Sequence, residues 1–310
     1  MILVVGIPTE APLALAIEAA EAKGVECVVF NQRHASYNDI VVDYKNGTIG
    51  GTLYAWGREL PLEEFTGVYA RMIEVSSLPE FKPSRTQAVD RYAFGHANFL
   101  TDSLRKWIEV APCRVLNRCA PMSSNGSKPY QAQLINRVGL KTPTTLITND
   151  PSQAEEFAQE HGEVIFKSIS GVRSIVKKLT PDRGPDLAKI RHLPTQFQAF
   201  VPGTNVRVHV VGEQVFATEI QSDAVDYRYG SREGHDTEMV PYELPADIHE
   251  KCIALSKALE LPLCGIDFKR TPDNDFVCFE VNPSPAYSYY EQHGGQPISS
   301  AIVDYLTGSH

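Results

Sequence analysis

Residues 263–282 read LCGIDFKRTPDNDFVCFEVN, two apolar runs on either side of a Pro-Asp-Asn-Asp turn. A turn of that composition between strand-forming runs predicts an antiparallel hairpin. Placing Arg270 near Phe276 or Val277 sets Asp267 opposite Glu280, within one residue of register. Directly opposite side chains share a face and lie about 5 Å apart at Cβ. Asn282, two residues beyond Glu280, points the same way. Three oxygen-bearing side chains thus converge on one side of a two-stranded ribbon. Two carboxylates this close repel each other unless a cation lies between them, and hard oxygen donors suit Mg²⁺. A solvated strand face, with Lys269 as cross-strand neighbour, is the plain alternative, and a one-residue slip would separate the carboxylates.

The composition narrows the class. The chain has 310 residues, 43% hydrophobic and 22% charged, as in an ordinary globular protein with a sizeable core. A formal net charge of -9 argues against nucleic acid as a main partner, while leaving room for a local basic pocket. Six cysteines form no CxxC and mostly sit in apolar runs, so they read as reduced core thiols rather than a zinc site. The opening MILVVGIPTE reads as a core strand rather than a signal peptide. No run is long enough to span a membrane. The expected location is cytoplasmic.

Along the chain, ILVVGI, TEAPLALAIEAAEAKG and VECVVF predict a strand–helix–strand opening and so a parallel sheet. IVVDY, KNGT and IGGTLYAW predict a hairpin with an Asn-Gly turn. FTGVYARMI reads as a core strand, and a long helix is expected from about Arg85 to Glu109. APMSSNGS reads as a linker, followed by a helix capped by Ser127 and stopped by Gly139. Asp150 and Ser152 cap another helix, and one more is expected from Ala246 to Leu259. From Gln196 onward strands dominate.

Several residues are candidates for binding anions. Lys128 heads the helix after the linker. Lys167 ends the strand EVIFK, before the small-residue loop SISGVRS, where the backbone around Ser170 and Gly171 could reach phosphate oxygens. Each lysine taken alone reads as a solvated surface group before a phosphate ligand, and Arg173 could meet phosphate or water. Residues 198–201, QAFV, read as a strand end that can offer backbone groups to an adenine ring. Arg207 lies within an alternating apolar strand, on one face with Asn205 and His209, where it needs an anion. Arg228 sits between aromatics in the charged loop QSDAVDYRYGSREGHDTE.

In this order, these features resemble the ATP-grasp superfamily, in particular ligases similar to ribosomal protein S6 glutamate ligase and microviridin-type peptide ligases. NRVGLKTPTTLITND and GIDFKRTPDNDFVCFEVNPSPAY carry most of the likeness. The resemblance implies a mixed α/β (α+β grasp) chain. A small N-terminal α/β pre-grasp domain (1–114) would precede an ATP-grasp domain (115–310) with antiparallel sheets in two lobes, 115–195 and 196–310. It implies ATP and Mg²⁺ as cofactors, with two ions, and Mn²⁺ as an alternative metal. Lys128, Lys167, Ser170 and Gly171 would hold phosphates. Gln198, Ala199, Phe200 and Val201 would hold adenine. Asp267, Glu280 and Asn282 would hold the metal, with Glu280 bridging. Arg207 and Arg228 would be catalytic, DYR standing for the DWR of peptide-maturing members. The loop after Lys167 is poorer in glycine than in many relatives.

The implied reaction is ATP-dependent carboxylate–amine ligation through an acyl phosphate on a peptide or amino acid. The alternatives are a macrocyclase forming lactam or ester links on a precursor peptide, and a non-ligating phosphotransferase or nucleotide-binding regulator. An acyl phosphate must be kept from water, so residues 168–174 and 222–238 are candidate closing loops. Tyr287, Tyr289, Tyr290 and His293 line the acceptor site or belong to the core. The resemblance also implies a homodimer.

Overall fold

The computed structural model describes residues 1–83, 88–168, 177–179, 187–221 and 238–309. The apolar opening forms β1 (Ile2–Gly6), α1 (Ala11–Ala22) and β2 (Cys27–Asn31), the expected parallel unit. A side sheet follows: β3 (Asp39–Lys45), β4 (Thr48–Ala55) and β5 (Arg58–Pro61). Asn46 and Gly47 both take positive φ, 52° and 79°, the pair of values that a tight hairpin turn requires. The second turn, at Trp56 and Gly57, also has two positive φ values, 54° and 71°. It is not legible in the sequence, because tryptophan rarely adopts that conformation.

β6 (Gly67–Arg71) and β7 (Arg114–Leu116) complete a parallel sheet in the order β2-β1-β6-β7. Between them runs α2 (Arg91–Val110), six residues later in onset than expected. Its start is fixed by Asp90, whose carboxylate accepts from the amides of Tyr92 and Ala93. β7 carries the first sheet through Leu116, past the expected boundary at 114.

Most of APMSSNGS, residues 120–127, expected as a linker, forms short helical turns at Cys119–Met122 and Ser123–Gly126. Then come α3 (Lys128–Arg137), β8 (Thr145–Thr148), α4 (Pro151–His161), β9 (Val164–Ser168), β10 (Lys177–Leu179) and β11 (Thr195–Ala199). Ser127 and Asp150 cap the two helices as read from the sequence. The strands form a sheet in the order β10-β9-β11-β8, over a small core of Ala154, Phe157, Val164, Ile190 and Phe197. β11 is therefore a central strand of this sheet. Sheet membership puts residues 195–199 with the first lobe, whereas the sequence reading began the second lobe at 196.

The remaining strands are β12 (Thr204–Val211), β13 (Gln214–Gln221), β14 (Glu238–Tyr242), β15 (Leu263–Arg270) and β16 (Phe276–Asn282). They make an antiparallel sheet in the order β14-β13-β12-β15-β16, and α5 (Ala246–Ala258) packs on one face of it. Two helices close the chain without a clear sequence signal: α6 (Ser288–Gly294) and α7 (Ile298–Thr307). α7 returns to the N-terminal sheet. Ile298 and Ile302 share a buried cluster with Ile2, Val4, Leu13 and Tyr69, and a Cβ on Gly67 would collide with Leu306. Both faces of the parallel sheet are thus covered, as its continuous apolar strands require. Ile302→Ala would cost about 2–5 kcal/mol at this junction. Among the described residues, no helix is long and apolar enough to cross a membrane.

Candidate nucleotide and cation site

The closing hairpin pairs Asp267 with Glu280 and Gly265 with Asn282. The register nearest the turn would not have done so. Arg270 pairs with Phe276 and Phe268 with Cys278, which on an unbroken ladder would set Phe279 against Asp267. A β-bulge between Asp267 and Phe268 shifts the count by one. Side chains alternate along a strand, so the extra residue also resets which face each one takes. Val281 joins the core with Ile266, while Glu280 and Asn282 turn to the opposite face with Asp267.

The neighbouring strand adds to that face. β12 pairs Arg207 with Asp267 and His209 with Gly265. The Arg207 guanidinium is nearly fully buried, and its Nη1 lies 2.6 Å from Asp267 Oδ1. It fits because residue 265 is glycine, since a Cβ there would overlap the guanidinium. Arg207 Nε lies 3.4 Å from His209 Nε2, and the Tyr290 ring packs against both groups, 5.7 Å from Arg207 Cζ and 4.8 Å from the imidazole. Full burial, with Arg207 adjacent, holds the His209 pKa well below the usual histidine value. Its imidazole is neutral and can accept from Arg207.

Lys128, at the start of α3, reaches across to Glu280, with Nζ to Oε2 at 3.0 Å, and donates to Asn125 Oδ1 at 2.9 Å. One turn on, Gln131 ties α3 to β16: its amide donates to Val281 O at 2.8 Å and accepts from Val281 N at 3.3 Å. Asn282 Oδ1 accepts from Ser284 N at 3.0 Å, which fixes the amide at the strand exit. The N-terminal unit holds the Pro-Ser-Pro that follows. Arg71 donates to Ser284 Oγ and to Pro285 O, and its other nitrogens bind Glu10. Asn117 donates to Leu263 O and Pro283 O, both at 2.6 Å. Gln131, Arg71 and Asn117 were missed by sequence reasoning, because nothing local marks a side chain that braces a distant strand. Gly265 had a signal in its spacing, two residues from Asp267.

The smaller sheet contributes a second set. Lys167 pairs with Gln196, and Gln198 with Ile165 and Thr145, all on the face opposite the small apolar core. Gln198 is buried; its Nε2 donates to Thr145 Oγ1 at 3.0 Å, while its Oε1 has no partner among the described residues. The sequence reads residues 198–201 as a strand end that offers backbone groups to an adenine ring. In the structure β11 is paired on both sides, and the amides of Ala199 and Phe200 donate to Thr144 O and Glu163 O. Of that stretch, the Val201 amide remains as the candidate donor. Phe200 lies beneath two ammonium groups, Lys178, which the sequence did not single out, at 4.3 Å and Lys269 at 5.6 Å from its ring. Burial and then the charge of Lys178 lower the Lys269 pKa. Ser170, Gly171, Arg173, Arg228 and the two candidate closing loops lie outside the described residues, Ser168 and Glu238 aside.

Tyr287 is core: fully buried, it donates to Pro12 O at 2.5 Å. Tyr290 is buried against Arg207, while Tyr289 is exposed and stacks with His293. Among the described residues, no three His, Cys, Asp or Glu side chains gather. The cation-binding candidate is two carboxylates and an amide oxygen, and an arginine and a lysine already neutralise the two acids. Hard oxygen donors with compensating cations fit a divalent ion carrying phosphates, which would take over the charge balance.

A family model for a RimK-like ATP-grasp domain matches residues 126–306. The chain belongs to that family. Its whole fold matches the crystal structure of macrocyclase MdnC bound with precursor peptide MdnA from Microcystis aeruginosa MRC. The TM-score is 0.79 at 26% identity, covering 99% of this chain and 100% of that one. ATP-grasp ligase PsnB, complexed with a phosphomimetic variant of its minimal precursor, Mg and ADP, shares the fold at TM-score 0.77 and 24% identity, covering 99% of this chain and 97% of that one. Among curated sequences, a probable alpha-L-glutamate ligase of Shewanella loihica is 24% identical over 202 residues. That match covers 62% of this chain and 66% of the relative, just under two thirds of its length.

Proposed function

We propose that this chain is an ATP-dependent carboxylate–amine ligase, acting on a peptide or amino-acid carboxylate with release of ADP and phosphate. One observation carries the reading. Asp267, Glu280 and Asn282 share a face with Arg207, which binds Asp267, and Lys128 reaches Glu280 from α3. A carboxylate and an amine do not condense in water, so ATP must first convert the carboxylate into an acyl phosphate.

No step needs a protein nucleophile; charge must be neutralised as it moves. Mg²⁺, or Mn²⁺ in its place, would supply that neutralisation at the phosphates, with Asp267, Glu280 and Asn282 as the residues that would hold one or two ions. Lys128 and Lys167 would bind phosphate oxygens, with the backbone around Ser170 and Gly171 beside them. Arg207, released from Asp267, would stabilise the acyl phosphate, with Arg228 as second cation. Adenine would lie along residues 198–201, its amino group donating to Gln198 Oε1, which has no partner among the described residues, and a ring nitrogen accepting from the Val201 amide.

We keep the two-domain division, a pre-grasp unit and a two-lobed grasp, with boundaries moved to the sheet edges near 116 and 199. All six cysteines are free thiols, which supports a reducing, cytoplasmic location.

A second reading is a macrocyclase that joins side chains of a precursor peptide. It is favoured by the full-length likeness to MdnC. ADP release with Mg-ATP, alone and with pooled amino acids, peptides and a candidate precursor, tests both. Release that depends on an acceptor amine supports ligation, release with loss of water from one peptide supports cyclisation, and a stable phosphorylated product refutes both.

A further inference from the structure

Arg207 lies at the centre of the candidate site and is held by two neighbours of different kinds. Its guanidinium covers Gly265, where a Cβ would overlap Nη2, and Gly265 is paired with Asn282. Nη1 meets Asp267 at 2.6 Å, and Nε donates to His209 Nε2 at 3.4 Å. Asp267 is a proposed cation ligand, so a divalent ion and the guanidinium compete for one carboxylate. His209 has no such second claim on it. Burial and the Arg207 charge keep its imidazole neutral, and a neutral nitrogen attracts the guanidinium N–H without holding a phosphate.

His209 is a costly residue for this position. Alternation along β12 puts Val208 and Val210 in the core and His209 on the site face with Arg207. The side chain is fully buried there. Because Nε2 accepts from Arg207, the imidazole hydrogen is on Nδ1. Nδ1 is itself buried and has no hydrogen-bond partner among the described residues. An unpaired buried N–H lowers stability, so the residue that carries it needs a reason other than packing.

The shape of the guanidinium supplies that reason. The group is planar, and its N–H donors form a fixed fork. A hydrogen bond at Nε, with the Tyr290 ring packed against the group, therefore sets the direction of Nη1 and Nη2 as well. Without it, an arginine released by Asp267 would regain the rotamer freedom of its long stem.

We infer that His209 is a positioning residue for Arg207. It keeps hold of Nε when Asp267 turns to a divalent ion, and so leaves the Nη fork aimed over Gly265 at the oxygens of the transferring phosphoryl group. The inference rests on the proposed ligase function, which gives Arg207 that group to meet.

Side-chain NMR of the full chain, isotopically labelled for nitrogen, tests the contact without turnover, with Arg207→Lys assigning the Nε–H signal. In the wild type, His209 should carry its hydrogen on Nδ1, and the Arg207 Nε–H should exchange slowly with water. Asp267→Ala should leave that signal slow. Adding His209→Leu to Asp267→Ala should speed the exchange roughly tenfold or more, as loss of a hydrogen bond from a charged group requires. Adding His209→Gln instead, whose amide oxygen can accept, should keep it slow. The first two readouts leave His209 in place and do not depend on how well its variants fold. In ADP release with Mg-ATP and the pooled amino acids and peptides, His209→Leu alone should lower kcat roughly tenfold or more with ATP affinity little changed, and His209→Gln should recover most of the loss. A hydrogen on His209 Nε2, fast exchange in Asp267→Ala with His209 intact, or equal turnover in His209→Leu and the wild type would each overturn the inference. A wild type that turns nothing over would sink the ligase reading instead, and the exchange rates would still decide whether His209 holds Arg207.

Discussion

The molecule contains two hairpins built on opposite logic. In β3–β4, two residues with positive φ set the turn and the ladder runs unbroken to Asp39. In β15–β16, the turn sets a register that the strand then abandons at a bulge, and only beyond it do Asp267 and Glu280 meet. Among the described residues, the first hairpin leaves its outer edge open, while the second is sealed by Gln131 and Lys141. Local turn chemistry suffices to fix register where nothing must be held. Where charged groups must converge, the strand departs from its turn, and elements far away in sequence hold it there.

The largest effect should come from the second hairpin. Glu280→Ala should lower acceptor-dependent ATP turnover at least about a hundredfold, with the melting temperature little changed, measured by ADP release beside a thermal melt. Arg207→Ala should reduce turnover far more than ATP affinity, as titration calorimetry and kinetics together would show. Equal losses in both would give Arg207 a binding role only. Gly265→Ala should displace the same guanidinium and cost roughly tenfold to a hundredfold in turnover while leaving the identity of every proposed ligand unchanged.

A smaller effect concerns pH. His209 is held neutral in the fold, below its ordinary value of 6.5. Above that value neither state binds the proton. Below it the unfolded chain binds a proton that the folded chain refuses, so stability falls as pH falls. His209→Gln should flatten the loss of melting temperature between neutral pH and about pH 5. An unchanged slope would mean that other groups dominate the acid limb. Smallest of all, Gly47→Ala should cost about 1–2 kcal/mol in the first hairpin's turn and leave turnover intact. If it also impaired turnover, the two hairpins would not be independent.

Much of this was legible from local pattern. The βαβ opening, the Asn-Gly turn, the Ser127 and Asp150 caps and the alternation around Arg207 are all short-range signals. The site face was legible as a set of residue types, but not the bulge that assembles it, because Phe279 looks like any other strand residue. How much of the backbone at residues 198–201 is already paired was not legible for a related reason. Whether a strand is central depends on β8 and β9, which lie distant in sequence. Likewise, α7 covers the N-terminal sheet through Leu306 and Gly67, a contact no local pattern announces. Arg71, Asn117 and Gln131 act only through distant backbone, so they stood outside sequence reasoning altogether.

The measurement closest to the central claim is the Mg²⁺ dependence of ATP binding, by titration calorimetry, in the wild type and in Glu280→Ala. If the β15–β16 face holds the ion on the phosphates, Mg²⁺ should tighten ATP binding in the wild type and have little effect in the variant. Equal Mg²⁺ dependence in both proteins, with both folded, would contradict the assignment of that face.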